Sequence, residues 1–230
     1  MGPLGRRAPT DWRHVERHPL TAETSPGEPV PVVLGVNWYV EFDQPQRDDR
    51  QRWWIARDGN LTRIRGEHCV CLLPYGARDP ISWWNFYDQG HEGACVGFGC
   101  SRMMSLFNRR RYDARWLWNR AKEIDEWPET NPGDDNGTSV RAGFDVLREV
   151  GHVRYRRRDE EAPDRIEGVA ANRWATSTED ALEALGRRNE DAVPVLNSWG
   201  RGYPHHVWMP VEVLDRLRRE DGEVAIATDR

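Results

Sequence analysis

Apolar and polar positions change period along this chain, and the changes divide it. From Glu28 to Phe42, EPVPVVLGVNWYVEF is dominated by β-branched and aromatic residues, which predicts a strand buried on both faces at its start. The polar stretch DQPQRDDRQ predicts a loop, and in WWIARDGNL the Asp58-Gly59 pair predicts a hairpin turn. A further strand is expected at IRGEHCVCLLPYG. From position 95 the spacing turns helical, with Val96, Cys100, Met103, Met104 and Phe107 on one apolar stripe. Asp113 is placed to cap a second helix, DARWLWNRAKEID, and Thr138 or Ser139 a third, VRAGFDVLREV, that stops at Gly151. Between them WPETNPGDDNG breaks the pattern, and residues 153–172 are polar without a clear period.

The pattern then predicts a short capped helix at TSTEDALEALGRR, strands at AVPVLNSWG and HHVWMP, and a helix at VEVLDRLRRE. Strands, then helices, then strands imply an α+β protein. A helical lobe is expected over 83–152 and a sheet lobe from 29–80 and 190–230, within a single domain spanning 29–230. Residues 1–28, rich in Pro, Gly and charge, are expected to form an N-terminal arm.

Composition narrows the class. A hydrophobic fraction of 38% is low, but 12 Trp let a core be built from fewer, larger side chains. Trp83, Trp84, Trp116 and Trp118 are read as packing residues. The net charge is −5, and the basic runs RRRYDAR and RYRRRDEE carry acids within or beside them, which argues against a nucleic-acid partner. No apolar run has the length of a membrane span and no signal peptide is visible, so a cytoplasmic location is expected. Cys69, Cys71, Cys95 and Cys100 do not look like a disulfide framework and are expected to be reduced.

The stretch DQGHEGACVGFG, residues 88–99, carries the candidate chemistry. A Cys at a helix N-terminus has its thiolate favoured by the macrodipole and by unpaired N–H groups, so Cys95 is expected to be a nucleophile of lowered pKa. The same N–H groups suit an oxyanion, and Gln89 on the preceding loop offers a second donor. Gly90 and Gly93 let that loop bend sharply.

DQGHEGACVGF resembles the nucleophile segment of papain-like cysteine proteases, where a Gln-Gly pair leads through a short turn into the catalytic Cys and its helix. NSWG at 197–200 resembles that family's second signature, in which the Asn orients the catalytic imidazole and the Trp covers their hydrogen bond. GTSVRAGFDVLREVG, residues 137–151, is similar to a helix of bacterial members. The resemblance implies a two-lobe fold, hydrolysis of peptide or related amide bonds through Cys95, a histidine, Asn197 and Gln89, a peptide or protein substrate, and neither cofactor nor metal.

The family places its histidine between the Cys helix and NSWG, whereas here no histidine lies between His152 and His205. EPVPVVLGVNWYVEF and IRGEHCVCLLPYG resemble the missing strands, with His68 at the His position and Glu67 where Gly is commoner. The expectation is a rearranged papain-like fold whose histidine strand precedes the nucleophile; a catalytic pair is defined by geometry, not chain order. Alternation along that strand sets His68 and Cys69 on opposite faces, which weakens a zinc reading of HCVC. His205 and His206 remain rival bases, and His91 is expected to be exposed beside the site. The alternative function is a catalytically silent module of a larger assembly such as a phage virion, docked through the N-terminal arm. The lack of an inhibitory prosegment and of a secretion signal motivates it.

Overall fold

The computed structural model describes residues 17–19, 27–80, 87–126, 136–155 and 166–229. Most of the expected arm, together with Trp83 and Trp84, lies outside the described residues. The chain is mixed α+β. Its strands are β1 (Arg17–Pro19), β2 (Val32–Tyr39), β3 (Gln46–Arg47), β4 (Trp53–Trp54), β5 (Ile64–Leu72), β6 (Ile166–Gly168), β7 (Ala171–Trp174), β8 (Ala192–Leu196), β9 (His206–Pro210) and β10 (Glu223–Asp229). Its helices are α1 (Cys95–Asn108), α2 (Ala114–Ile124), α3 (Val140–Glu149), α4 (Thr178–Ala184) and α5 (Val211–Arg219). None of the described helices is long and apolar enough to cross a membrane.

Eight strands form one sheet in the order β3-β4-β9-β8-β5-β2-β10-β7, and β1 pairs in parallel with β6. β5 runs antiparallel to β2, with His68 opposite Val36, and to β8, with Cys71 opposite Leu196. The strand bearing His68 therefore lies between the apolar run of β2 and the strand that leads into NSWG. Val32, Val33 and Leu34 are fully buried, as are Val193 and Val195, so the centre of the sheet is the core.

Helix α1 lies on β5 and β2, its stripe of Val96, Cys100, Met103, Met104 and Phe107 turned inward and buried. It comes very close to β5 at Gly99, where an added Cβ would stand 2.8 Å from the Cys69 sulfur. Glycine at this position is what allows the start of the helix to meet the strand that carries His68. The caps form as the sequence implies: Asp113 accepts from the Trp116 N–H, Ser139 from Ala142 and Ser177 from Asp180.

Three expectations change. The Asp58-Gly59 turn forms, with Gly59 at φ +69°, but it makes no hairpin: β4 pairs in parallel with β9, and β5 lies three places away in the sheet. The polar stretch after β2 contributes the short edge strand β3, paired with β4 through Arg47 and Trp53. β10 was not anticipated, although it runs between β2 and β7. Its buried run of Val224, Ala225, Ile226 and Ala227 follows a helix closely and is too short for periodicity to separate from that helix's end.

Behind α1 a buried histidine completes the packing. His152 is fully buried, shares a 2.7 Å hydrogen bond between its Nε2 and Ser101 Oγ, and stacks on Tyr112 at 4.9 Å and Trp116 at 5.9 Å. Burial pushes its pKa down to about 3.

Candidate active site

Two loops that the sequence separates by more than 100 residues are stitched together by their backbones. The Gln89 N–H donates to the Ser198 carbonyl at 2.9 Å, and the Gly200 N–H to the Tyr87 carbonyl at 3.2 Å. Gly200 has φ +61°, and a Cβ there would fall 2.4 Å from the Asp88 carboxylate, so no other residue fits the crossing. The seam brings Asn197 and Trp199 against the strand that carries His68.

His68 Nε2 lies 2.9 Å from Asn197 Oδ1, and the Ser198 N–H donates to that same oxygen at 2.7 Å. A carboxamide oxygen only accepts, so His68 carries its proton on Nε2 and presents a bare lone pair at Nδ1. Two indoles enclose the ring: Trp199 lies over it at 4.9 Å, tilted by 34°, and Trp38 meets it edge-on at 4.7 Å. His68 is 6% exposed and Asn197 4%. Burial pushes the His68 pKa down to about 4, against the pull of the Asn197 bond, and nearby Arg65 lowers it further.

Cys95 is the first residue of α1, after Ala94, which offers no side-chain cap, and the first turn carries no acid. Cys95 as a residue is partly exposed and lines two adjoining clefts, of about 550 and 540 Å3, that it shares with His68. The expectation of a lowered thiol pKa is overturned. Burial dominates and pushes Cys95 up to about 11, although the N–H groups of Cys69, Val96 and Cys95 itself pull it down. Desolvation of a thiolate outweighs the dipole and its few donors here. At rest the site holds a neutral thiol beside a neutral imidazole, and ionising the first calls for proton transfer to the second.

Gln89 is buried at the rim of the cleft that also touches Trp199. Its Nε2 donates to the Glu92 carbonyl at 3.1 Å, which leaves a second N–H on the same nitrogen, while Oε1 is buried without a partner. His91 is exposed on the lining of that cleft, as expected.

The rival histidines turn elsewhere. His205 Nε2 lies 2.7 Å from Asp79 Oδ2, and His206 Nε2 lies 3.6 Å from the same oxygen; neither lines the clefts at Cys95. Asp79, His205 and His206 are the one group of potential metal ligands among the described residues. Asp79 is, however, the buried counter-ion of Arg102, whose Nη1 reaches that oxygen at 2.7 Å, so a cation at this point would be repelled by a guanidinium. A larger concavity of about 900 Å3 lies beside Tyr75 and Arg187, away from Cys95.

Two supporting residues escaped the sequence reading. Trp38 was visible only as one aromatic of a strand; its position beside His68 follows from the β2–β5 register. Arg102 is fully buried, pairs with Asp79, and donates through Nη2 to the Asn197 carbonyl at 3.3 Å. A signal was there: it stands seven residues after Cys95 on the same helix face, the one charge in the helix CVGFGCSRMMSLFN. No family model matches the chain, and neither a curated protein nor a solved structure does.

Proposed function

We propose that the chain is a thiol hydrolase of papain-like two-lobe arrangement that cleaves peptide or related amide bonds at Cys95. The observation that carries this reading is the His68–Asn197 hydrogen bond beneath Trp199, in a cleft that His68 shares with Cys95. Three positions distant in sequence converge there, and the tautomer that Asn197 selects is the one that leaves a base on the ring.

His68 Nδ1 takes the Cys95 proton as the sulfur attacks the substrate carbonyl. The resulting oxyanion is held by the Cys95 N–H at the start of α1 and by the remaining Gln89 N–H. The imidazolium then protonates the leaving amine, the C–N bond breaks, and a thioester remains on Cys95. Water attacks the thioester with His68 again as base, which releases the carboxylic acid and restores the thiol. Asn197 holds the ring through both proton transfers while the two indoles keep water from their bond. The low pKa of His68 keeps the base unprotonated in mildly acidic solution.

The test is alkylation by iodoacetamide near neutral pH, mapped by mass spectrometry and paired with hydrolysis of a mixed peptide library. Cys95 is expected to react well ahead of Cys69, Cys71 and Cys100, and His68→Ala or Cys95→Ala to abolish cleavage. Cys95 labelling no faster than Cys69 would overturn the reading. It would leave a silent module of a larger assembly in its place.

A further inference from the structure

The two flanks of Cys95 differ in charge. On one flank Arg65 pairs with Asp43 at 2.8 Å and Glu92 with Arg115 at 2.6 Å, and Glu67, which lines both flanks, is the one carboxylate on its lining outside these pairs. The other flank, about 550 Å3, is bounded by Glu67, Glu220, Asp221 and Glu223, and among the described residues no Arg or Lys lines it. Glu220 is already engaged, by Arg216 at 2.8 Å and the Tyr39 hydroxyl at 2.7 Å. Glu67, Asp221 and Glu223 form no ion pair among the described residues. Three carboxylates outside any ion pair among the described residues therefore bound the cleft beside the candidate nucleophile, and the charge of Arg141, which does not line it, offsets Glu223 in part.

Each is placed by the fold. Glu67 precedes His68 on β5 and is exposed; Asp221 sits in the turn after α5 with φ +67°. Glu223 opens β10, half-buried, where the Val140 N–H at the start of α3 and the charge of Arg141 hold its carboxyl in position. Burial, with Glu67 and Asp125 adding repulsion, pushes the Glu223 carboxyl up. A cation arriving in the cleft relieves that repulsion and replaces lost solvation, so the pocket is electrostatically unfinished without one.

We propose that this flank selects a cationic side chain, lysine-like or arginine-like, on the substrate residue next to the bond attacked. The inference rests on the thiol-hydrolase reading of Cys95 and adds the substrate class. Selection works through Coulomb attraction from carboxylates lying several ångströms from the guest, in a cleft that excludes part of the solvent.

The experiment uses the full chain at low ionic strength and two thiol reagents of matched size, cationic aminoethyl methanethiosulfonate and anionic sulfonatoethyl methanethiosulfonate. Their rates at Cys95 are each divided by the rate with 2-mercaptoethanol, and neutral iodoacetamide is run alongside. A preference of about tenfold for the cation is expected, falling toward one in Glu67→Gln and in Glu223→Gln, and shrinking at about 0.5 M salt. Because Glu67 is exposed, its variant tests charge without disturbing the core. Peptide pairs with Arg or Leu beside the scissile bond are expected to show the same order of cleavage. If Cys95 reacts rapidly with iodoacetamide but the charge ratio stays near one, or is unmoved by both substitutions, the pocket proposal falls and the hydrolase reading stands. If iodoacetamide finds Cys95 no more reactive than the buried thiols, both fall.

Discussion

Acidification should destabilise this protein well before its carboxylates titrate, because two of its histidines are buried as neutral rings. His68 is pushed from an ordinary value near 6.5 to about 4, and His152 from the same value to about 3, in both cases chiefly by burial. The unfolded chain therefore binds more protons than the folded one between about pH 6.5 and the folded values, and stability falls as pH falls through that window. Integrated from about pH 7 to about pH 4.5, each ring contributes about 2.5 kcal/mol, or about 5 kcal/mol together. That is a large part of the roughly 5–15 kcal/mol by which domains are stable. Carboxyls held low by hydroxyl donors, Thr62 on Glu41 and Thr178 on Asp215, lose their contribution only below about pH 4.5. Glu223, pushed up by burial, works in the opposite sense and trims the effect. Urea denaturation followed by tryptophan fluorescence, at steps between these two pH values, measures the slope. His68→Gln should remove about half of it, and the imidazole carbon protons of both rings should hold their neutral shifts by NMR down to about pH 5. A stability loss under about 1 kcal/mol across the window, or ring signals that titrate near pH 6.5, would refute the reasoning.

Two further outcomes follow from the site's supports. Asn197→Ala strips the acceptor from a buried His68 N–H and from Ser198, at a cost of about 1–3 kcal/mol, and frees the ring to move its proton to Nδ1. Cys95 alkylation should slow by at least tenfold while the chain stays folded by circular dichroism. Arg102→Met removes the buried cation that Asp79 faces and the brace on the Asn197 carbonyl, so denaturation should show a loss of about 3–5 kcal/mol.

The local pattern was enough to place the parts that rest on nearest neighbours. The helix begun by Cys95 reads from its apolar stripe, the caps at Asp113, Ser139 and Ser177 from one side chain and the N–H two or three residues on, and the β5 strand from alternation. His68 and Asn197 were nameable because their motifs are short, and the structure brings them to 2.9 Å.

What the sequence could not carry was anything decided by partners far along the chain. The Asp58-Gly59 turn is a local fact, but whether it closes a hairpin depends on which strand finds β4, and β9 does. β10 reads as strand only because β2 and β7 stand ready on either side to take its hydrogen bonds. The thiol of Cys95 shows the same division most sharply. From sequence alone the helix N-terminus promised a lowered pKa; the start of α1 packs on β5, close enough for the Cys69 N–H to reach the Cys95 sulfur, and burial there raises the pKa instead. Chain order fixes which groups are near a helix end, whereas solvation belongs to the whole fold, and for a buried thiol solvation is the larger energy.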